Sequence, residues 1–194
     1  MNDIENLKAL RESTGASITE CKKALADANG SIEEATKLLR TRGQSVVDKK
    51  QSRTANEGVI GVYLHANSKI AGVVELRCET DFVARNEEFK HLAHEIAMHV
   101  VASDPKYLLP EEVPQEVRDE ERRLVAQQFA DSGKPQQIVD KIIEGKLATL
   151  AKEICLTTQP FIKDPDRTVQ DVVNEAVSKF GEKITIGKFA RFVI

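Results

Sequence analysis

The stretch GVIGVYLHANSKIAGVVELRCETDFVARNEEF, residues 58–89, carries a strand, a turn, a second strand, a short polar link and the start of a helix. GVIGVYLH alternates, which sets Ile60, Val62 and Leu64 on one face of a strand. HANSK supplies turn chemistry through Asn67 and Ser68. The chain then returns as IAGVVELRC, with Val74, Leu76 and Cys78 opposite Val73, Glu75 and Arg77. The spacing predicts an antiparallel hairpin with one buried face. Gly61 and Gly72 mark bulges or close contacts. After Asn86, a suitable N-cap, the apolar positions Phe89, Leu92, Ala93, Ile96, Ala97 and Val100 fall on one helical stripe that should pack on the hairpin. Between strand and helix lie Thr80, Asp81, Phe82 and Val83, an acid followed by a large aromatic where a loop is expected. The local pattern leaves open whether Phe82 plugs its own core or waits for a partner.

Working toward the N-terminus, residues 1–43 read as three short helices. The first spans about Ile4 to Glu12, with Asp3 as a cap and Ile4, Leu7 and Leu10 as its stripe, and stops before Gly15. SITE (Ser17, Glu20) and SIEE (Ser31, Glu34) are capping boxes that open the second and third. Ile18, Cys21, Ala24, Leu25 and Ala28 form one buried face; Ile32, Ala35, Leu38 and Leu39 form the other, ending at Gly43. Helices this short need a shared core, and the arrangement is similar to ubiquitin-associated (UBA) domains. Residues 40–53 follow as a basic linker, with Arg40, Arg42, Lys49, Lys50 and Arg53 against Asp48. It reads either as a solvated tether or as an electrostatic contact for an acidic partner or RNA.

Toward the C-terminus, Pro110 and Pro114 interrupt the pattern. Two helices with narrow apolar stripes follow, Val117, Leu124, Val125 and Phe129 on one and Val139, Ile143, Leu147, Leu150 and Ile154 on the other. DSGKP turns the chain between them, with Pro135 in a first helical turn. A helical hairpin inserted into the core is the expectation. Thr168 then opens a helix carrying Val169, Val172, Val173, Ala176, Val177 and Phe180, stopped by Gly181, and KITIGKFARFVI is a closing strand for the earlier hairpin. The predicted fold is α+β: a three-helix UBA-like module with its linker at 1–54, a core of small antiparallel sheet and helices at 55–113 and 157–194, and a coiled-coil-like arm at 114–156.

Composition bounds the function. A chain of 194 residues with 41% hydrophobic and 30% charged residues suits a globular protein. The charged start MNDIENLKALRE lacks the apolar stretch of a signal peptide, so a cytoplasmic location is expected. A net charge of −3 argues against general nucleic-acid coating. Cys21, Cys78 and Cys155 have no paired spacing and read as reduced core thiols. HLAHE, residues 91–95, is neither HExxH nor HxxEH, so His91, His94 and His99 read as surface or boundary side chains and no metal is expected. Nucleotide-binding glycine motifs and nucleophile elbows are absent from the sequence, and no cofactor is expected. These negatives favour a protein that acts by binding. A nucleic-acid-binding accessory protein using residues 40–53 and a ubiquitin-type adaptor built on the first three helices are alternatives.

Four motifs in order, LRESTGASITECKKAL (10–25), TDFVARNEEF (80–89), SGKPQQIVDKIIEGKL (132–147) and QPFIKD (159–164), resemble those of the translation elongation factor Ts family, and the resemblance runs along the whole chain. It implies a guanine nucleotide exchange factor for elongation factor Tu that makes or breaks no covalent bond. It further implies that Asp81 and Phe82 enter the partner's nucleotide domain near its magnesium site, with Thr80 and Val83 beside them. Arg11 and Lys22 match charged contact positions of the N-terminal module. Ser17, Ile18 and Thr19 stand where the family often has Gly-Met-Met, and Ile18 still offers an apolar contact. His65, Phe180 and Gly181 match further contact positions of the core. Because the chain holds one copy of the core unit, the resemblance implies the short form: a homodimer that binds two partner molecules.

Overall fold

The computed structural model describes residues 3–14, 16–130 and 133–194. The fold is α+β. Three helices, α1 (Asp3–Thr14), α2 (Ile18–Asp27) and α3 (Ile32–Lys50), precede the hairpin β1 (Glu57–Leu64) and β2 (Ile70–Cys78). A single turn, α4 (Asp81–Ala84), and α5 (Glu87–Ser103) come next, then α6 (Gln115–Phe129) and α7 (Gln136–Ile154). A short ribbon, β3 (Pro160–Phe161) and β4 (Asp164–Thr168), leads into α8 (Val169–Phe180) and β5 (Thr185–Val193). Gly15, expected to stop α1, and Asp131 and Ser132, of the expected DSGKP turn, lie outside the described residues, as do the side chains of Asp3, Arg40, Val46 and Asp48.

The first three helices bury a small core of their own from Leu10, Cys21, Ala24, Leu25 and Ala35, with Leu7, Ala28, Ile32 and Leu39 packed around it. The Ser17 hydroxyl accepts the Glu20 amide at 3.2 Å and the Ser31 hydroxyl accepts that of Glu34 at 3.3 Å, so the N-cap half of each expected capping box forms. Three expectations are corrected here. Ile4 and Ile18 are exposed rather than buried, because each lies on the side of its helix turned away from that core. The third helix does not end at Gly43 but runs on to Lys50, making most of the basic linker helical. It continues because Val47 packs against the main core and Gly43 lies against Ser178 of α8, so tertiary contact extends the helix past a weak former.

The main sheet has the order β1-β2-β5, antiparallel throughout. One face is covered by α5, through Phe89, Leu92, Ala93, Ile96, Ala97 and Val100, with Val74, Leu76 and Cys78 beneath. The apolar residues of α8 join the same core. On β1 the buried side is the one with Val59, Gly61 and Tyr63; Ile60, Val62 and Leu64 are exposed on the other face of the sheet. The alternation of β1 is as expected, but its more apolar half faces outward. Gly61 and Gly72 are close contacts of α5 and not bulges. The irregularity lies in β5, opposite Val74–Leu76, where the Glu75 carboxylate accepts the Lys188 amide at 3.1 Å.

The expected N-cap Asn86 accepts the Glu88 amide at 2.8 Å. Thr168 forms a full capping box with Asp171, and Gly181 ends α8 in the left-handed region at φ 68°. Between α5 and β3 the chain leaves and rejoins the core at one place: the Leu156 amide donates to Tyr107 O at 2.9 Å and the Thr157 amide to Leu108 O at 3.2 Å. Helices α6 and α7 pack on each other and bury one valine each, Val125 and Val139. Pro135 occupies the N-cap of α7, one position before the first helical residue.

His99 corrects the reading of the histidines as surface or boundary groups. It is fully buried. Its Nδ1 accepts the Ile162 amide at 3.2 Å, which leaves Nε2 to donate to Gln159 Oε1 at 3.0 Å. The Gln159 amide group donates in turn to Ser103 O and Glu153 O. This set of bonds locks the ends of α5 and α7 to the β3 ribbon, and burial holds the His99 pKa below its ordinary value.

Candidate functional site

Strand β2 ends at Cys78, whose side chain is buried and donates to Thr80 O at 3.2 Å. Burial, with Glu182 nearby, pushes this thiol up to about 11, so it stays protonated under the site. Three residues later the chain begins one helical turn, α4, in place of the expected loop. Thr80 is its N-cap, but the hydroxyl does not cap the turn. It donates instead to Glu182 Oε1 at 2.6 Å. Ala84 and Val83 face the core, which leaves Phe82 on the outer side of the turn.

Phe82 is 83% exposed. The structure therefore decides the question left open by the local pattern: Phe82 does not fill its own core. Asp81 beside it is half-exposed and forms an i,i+4 ion pair with Arg85 at 3.0 Å. In water such a pair contributes little to stability, so Asp81 remains available to another partner.

The turn is held from a segment 102 to 104 positions away in the chain. Glu182 Oε2 accepts the backbone amides of Glu79 at 3.0 Å and Thr80 at 3.1 Å. Reciprocally, Glu79 accepts the Lys183 amide at 2.6 Å and pairs with Arg53 at 3.1 Å. The Lys183 amide, followed by Arg53, lowers the Glu79 pKa. The same segment grips the end of α3: Lys50 Nζ donates to Gly181 O, and Lys183 Nζ to Gln51 O and Arg53 O at 2.7 Å each. No short-range pattern in the sequence marks Glu182, Lys183 or Glu79, since each acts only across the tertiary structure.

The other expected contact residues are placed unequally. Gly181 is exposed and adjoins the turn through Glu182. Phe180 is half-buried with its ring edge-on to Phe89 at 5.9 Å, so much of its surface serves the core. His65 is exposed and close to the Tyr63 hydroxyl at 3.3 Å, but it follows β1, whose other end pairs with Cys78. A strand of that length separates it from Phe82 by roughly 25 Å. Arg11, Ile18 and Lys22 are all exposed on α1 and α2, in the helical group with its separate core.

A family model described as "Elongation factor TS" matches residues 1–194. The chain is similar to "Elongation factor Ts" of Thermosipho melanesiensis, 49% identical over 188 residues that cover 97% of this chain and 96% of that protein. It is also similar to the protein of that name from Caldanaerobacter subterraneus, 46% identical over 192 residues (99% and 96%). A third, from Syntrophomonas wolfei, is 47% identical over 194 residues (100% and 91%).

Proposed function

The chain belongs to the elongation factor Ts family, and we propose that it engages its partner through the exposed turn at Asp81 and Phe82. As a member of that family it is a guanine nucleotide exchange factor for elongation factor Tu in translation elongation. It acts by binding and is not an enzyme. The adaptor and nucleic-acid readings are not favoured.

The observation that carries the site reading is Phe82, exposed on a turn that is clamped at its base. An aromatic left in water forgoes roughly 2–3 kcal/mol that a partner's pocket returns. Because the turn is already ordered, little of that gain goes into arranging it. Asp81 and Phe82 would enter the nucleotide domain of elongation factor Tu near its magnesium site, bordered by Thr80 and Val83. Each ~1.4 kcal/mol of strain imposed there weakens the nucleotide about tenfold, and linkage makes the effect mutual. Arg11, Ile18 and Lys22 on the first helices, with His65, Phe180 and Gly181 on the core, are further proposed contacts. The roughly 25 Å between His65 and Phe82 makes them two separate points of a broad surface.

The test is stimulated release of fluorescent GDP from elongation factor Tu, measured with thermal unfolding of the same variant. Phe82→Ala is expected to lose most of the stimulation and keep its unfolding midpoint. A destabilisation of about 3–5 kcal/mol, typical of a core Phe, would make Phe82 structural instead.

The finer architecture is part of this proposal: residues 1–54 as a UBA-like module and linker, 114–156 as a projecting helical hairpin, and 55–113 with 157–194 as the core. So are a cytoplasmic location, which suits a translation factor, and a homodimer that binds two partner molecules. The homodimer reading is supported by the outer face of the sheet. Cross-strand partners share a face, which puts Ile60, Val62, Leu64, Ala71, Val73 and Phe192 together, four of them more than half exposed. An apolar face of this extent is unusual on a protein that stays alone. A second copy offers the matching face, related by a two-fold axis.

A further inference from the structure

We propose that Glu182 is a positioning residue for nucleotide exchange, holding the Asp81–Phe82 turn in the attitude that presents Phe82. This rests on the reading of Phe82 given above. The carboxylate receives three hydrogen bonds from two successive residues, the amides of Glu79 and Thr80 and the Thr80 hydroxyl. Bonds to an ionised acceptor are shorter and stronger than neutral ones, and three on one rigid group fix direction as well as distance.

The turn needs such a support. Four residues form one helical turn, too short to persist by its own hydrogen bonds. Its N-cap hydroxyl, which would normally stabilise it, is committed to Glu182. Val83 and Ala84 anchor its inner side, but Phe82, being 83% exposed, has little packing to set its direction. The direction of that ring therefore follows the backbone at residues 79–81, and Glu182 holds the first two of these positions. The crossed bond from the Lys183 amide to Glu79 closes the same junction from the other side. Without the carboxylate, the turn spreads over several orientations, and only the fraction in the competent one binds productively.

The experiment uses full-length protein and elongation factor Tu loaded with fluorescent GDP, with the factor titrated to saturation. Glu182→Ala is expected to raise the half-saturating concentration or lower the maximal rate by at least about tenfold. Its unfolding midpoint should stay within a few degrees of the parent. The discriminating arm is the double variant. In a Phe82→Ala background, Glu182→Ala should change exchange by less than about twofold, since nothing is left to position. Parent-like exchange by Glu182→Ala overturns the proposal, and so does a loss that persists undiminished in the Phe82→Ala background, which would mark a general structural role. If Glu182→Ala does not fold, Glu182→Gln carries the same test, because one carbonyl oxygen cannot replace two carboxylate oxygens. A Phe82→Ala variant with parent activity would overturn the Phe82 reading and this proposal together. Loss in Phe82→Ala with silence at Glu182 overturns only this one.

Discussion

Gly61 and Ala93 are in backbone contact: a β-carbon built on Gly61 would stand 2.3 Å from the Ala93 carbonyl oxygen. One turn further along α5, a β-carbon on Gly72 would stand 2.4 Å from Ala97 O. Helix α5 thus lies directly on the backbone of the hairpin, and through Asn86 it fixes where the exposed turn ends.

Gly61→Ala is therefore expected to force α5 away from the sheet and cost about 1–3 kcal/mol, as overpacking does. In a chain of this size that is roughly 2–12 °C in the unfolding midpoint. A β-carbon added at Gly145, within α7, would meet nothing within 4 Å. Gly145→Ala should stabilise by about 0.5–1 kcal/mol, since it removes only helix-breaking backbone freedom. Thermal unfolding of the two variants side by side checks the contrast; equal effects would mean that α5 is not seated this closely.

The buried His99 makes stability depend on pH. Burial lowers its folded pKa from 6.5, so below about that pH the unfolded chain takes up a proton that the folded protein refuses. The stabilising contribution is complete above the unfolded pKa and is lost as pH falls from there through the lower folded pKa. Denaturant midpoints of the parent are expected to decline as pH falls below about 6.5, and those of His99→Gln to decline less over the same range. Superimposable pH profiles would show that His99 does not titrate differently on folding.

The proposed dimer predicts a concentration-dependent mass. Light scattering over a dilution series should approach twice 21.5 kDa at high concentration. Val62→Asp, on the outer sheet face, should give the single-chain mass throughout and keep the parent's circular dichroism, because that side chain is exposed in the single chain. A parent that remains a monomer at every concentration, with full exchange activity per chain, would remove the dimer.

What the sequence alone determined is local or ancestral. The caps at Ser17, Ser31, Asn86 and Thr168 were readable because a cap and its amide lie within three residues. The stripe of α5 was readable because one helix face meets one core. The order of four motifs carried the family. Tertiary structure alone decided the rest. Alternation places Ile60, Val62 and Leu64 on one side of β1 but cannot say which side α5 will cover, and α5 chose the side where Gly61 lets its backbone approach. Gly43 looks like a helix stop until Val47 and Ser178 supply contacts that carry α3 past it. His99 lies at a boundary of its helical pattern and becomes a core residue only when Gln159 and Ile162 arrive, 60 and 63 positions later. Glu182 follows a helix stop like any solvated acid, and its grip on Thr80 spans 102 positions. Each of these depends on groups brought together by folding, and a short-range pattern holds no record of a partner so distant in the chain.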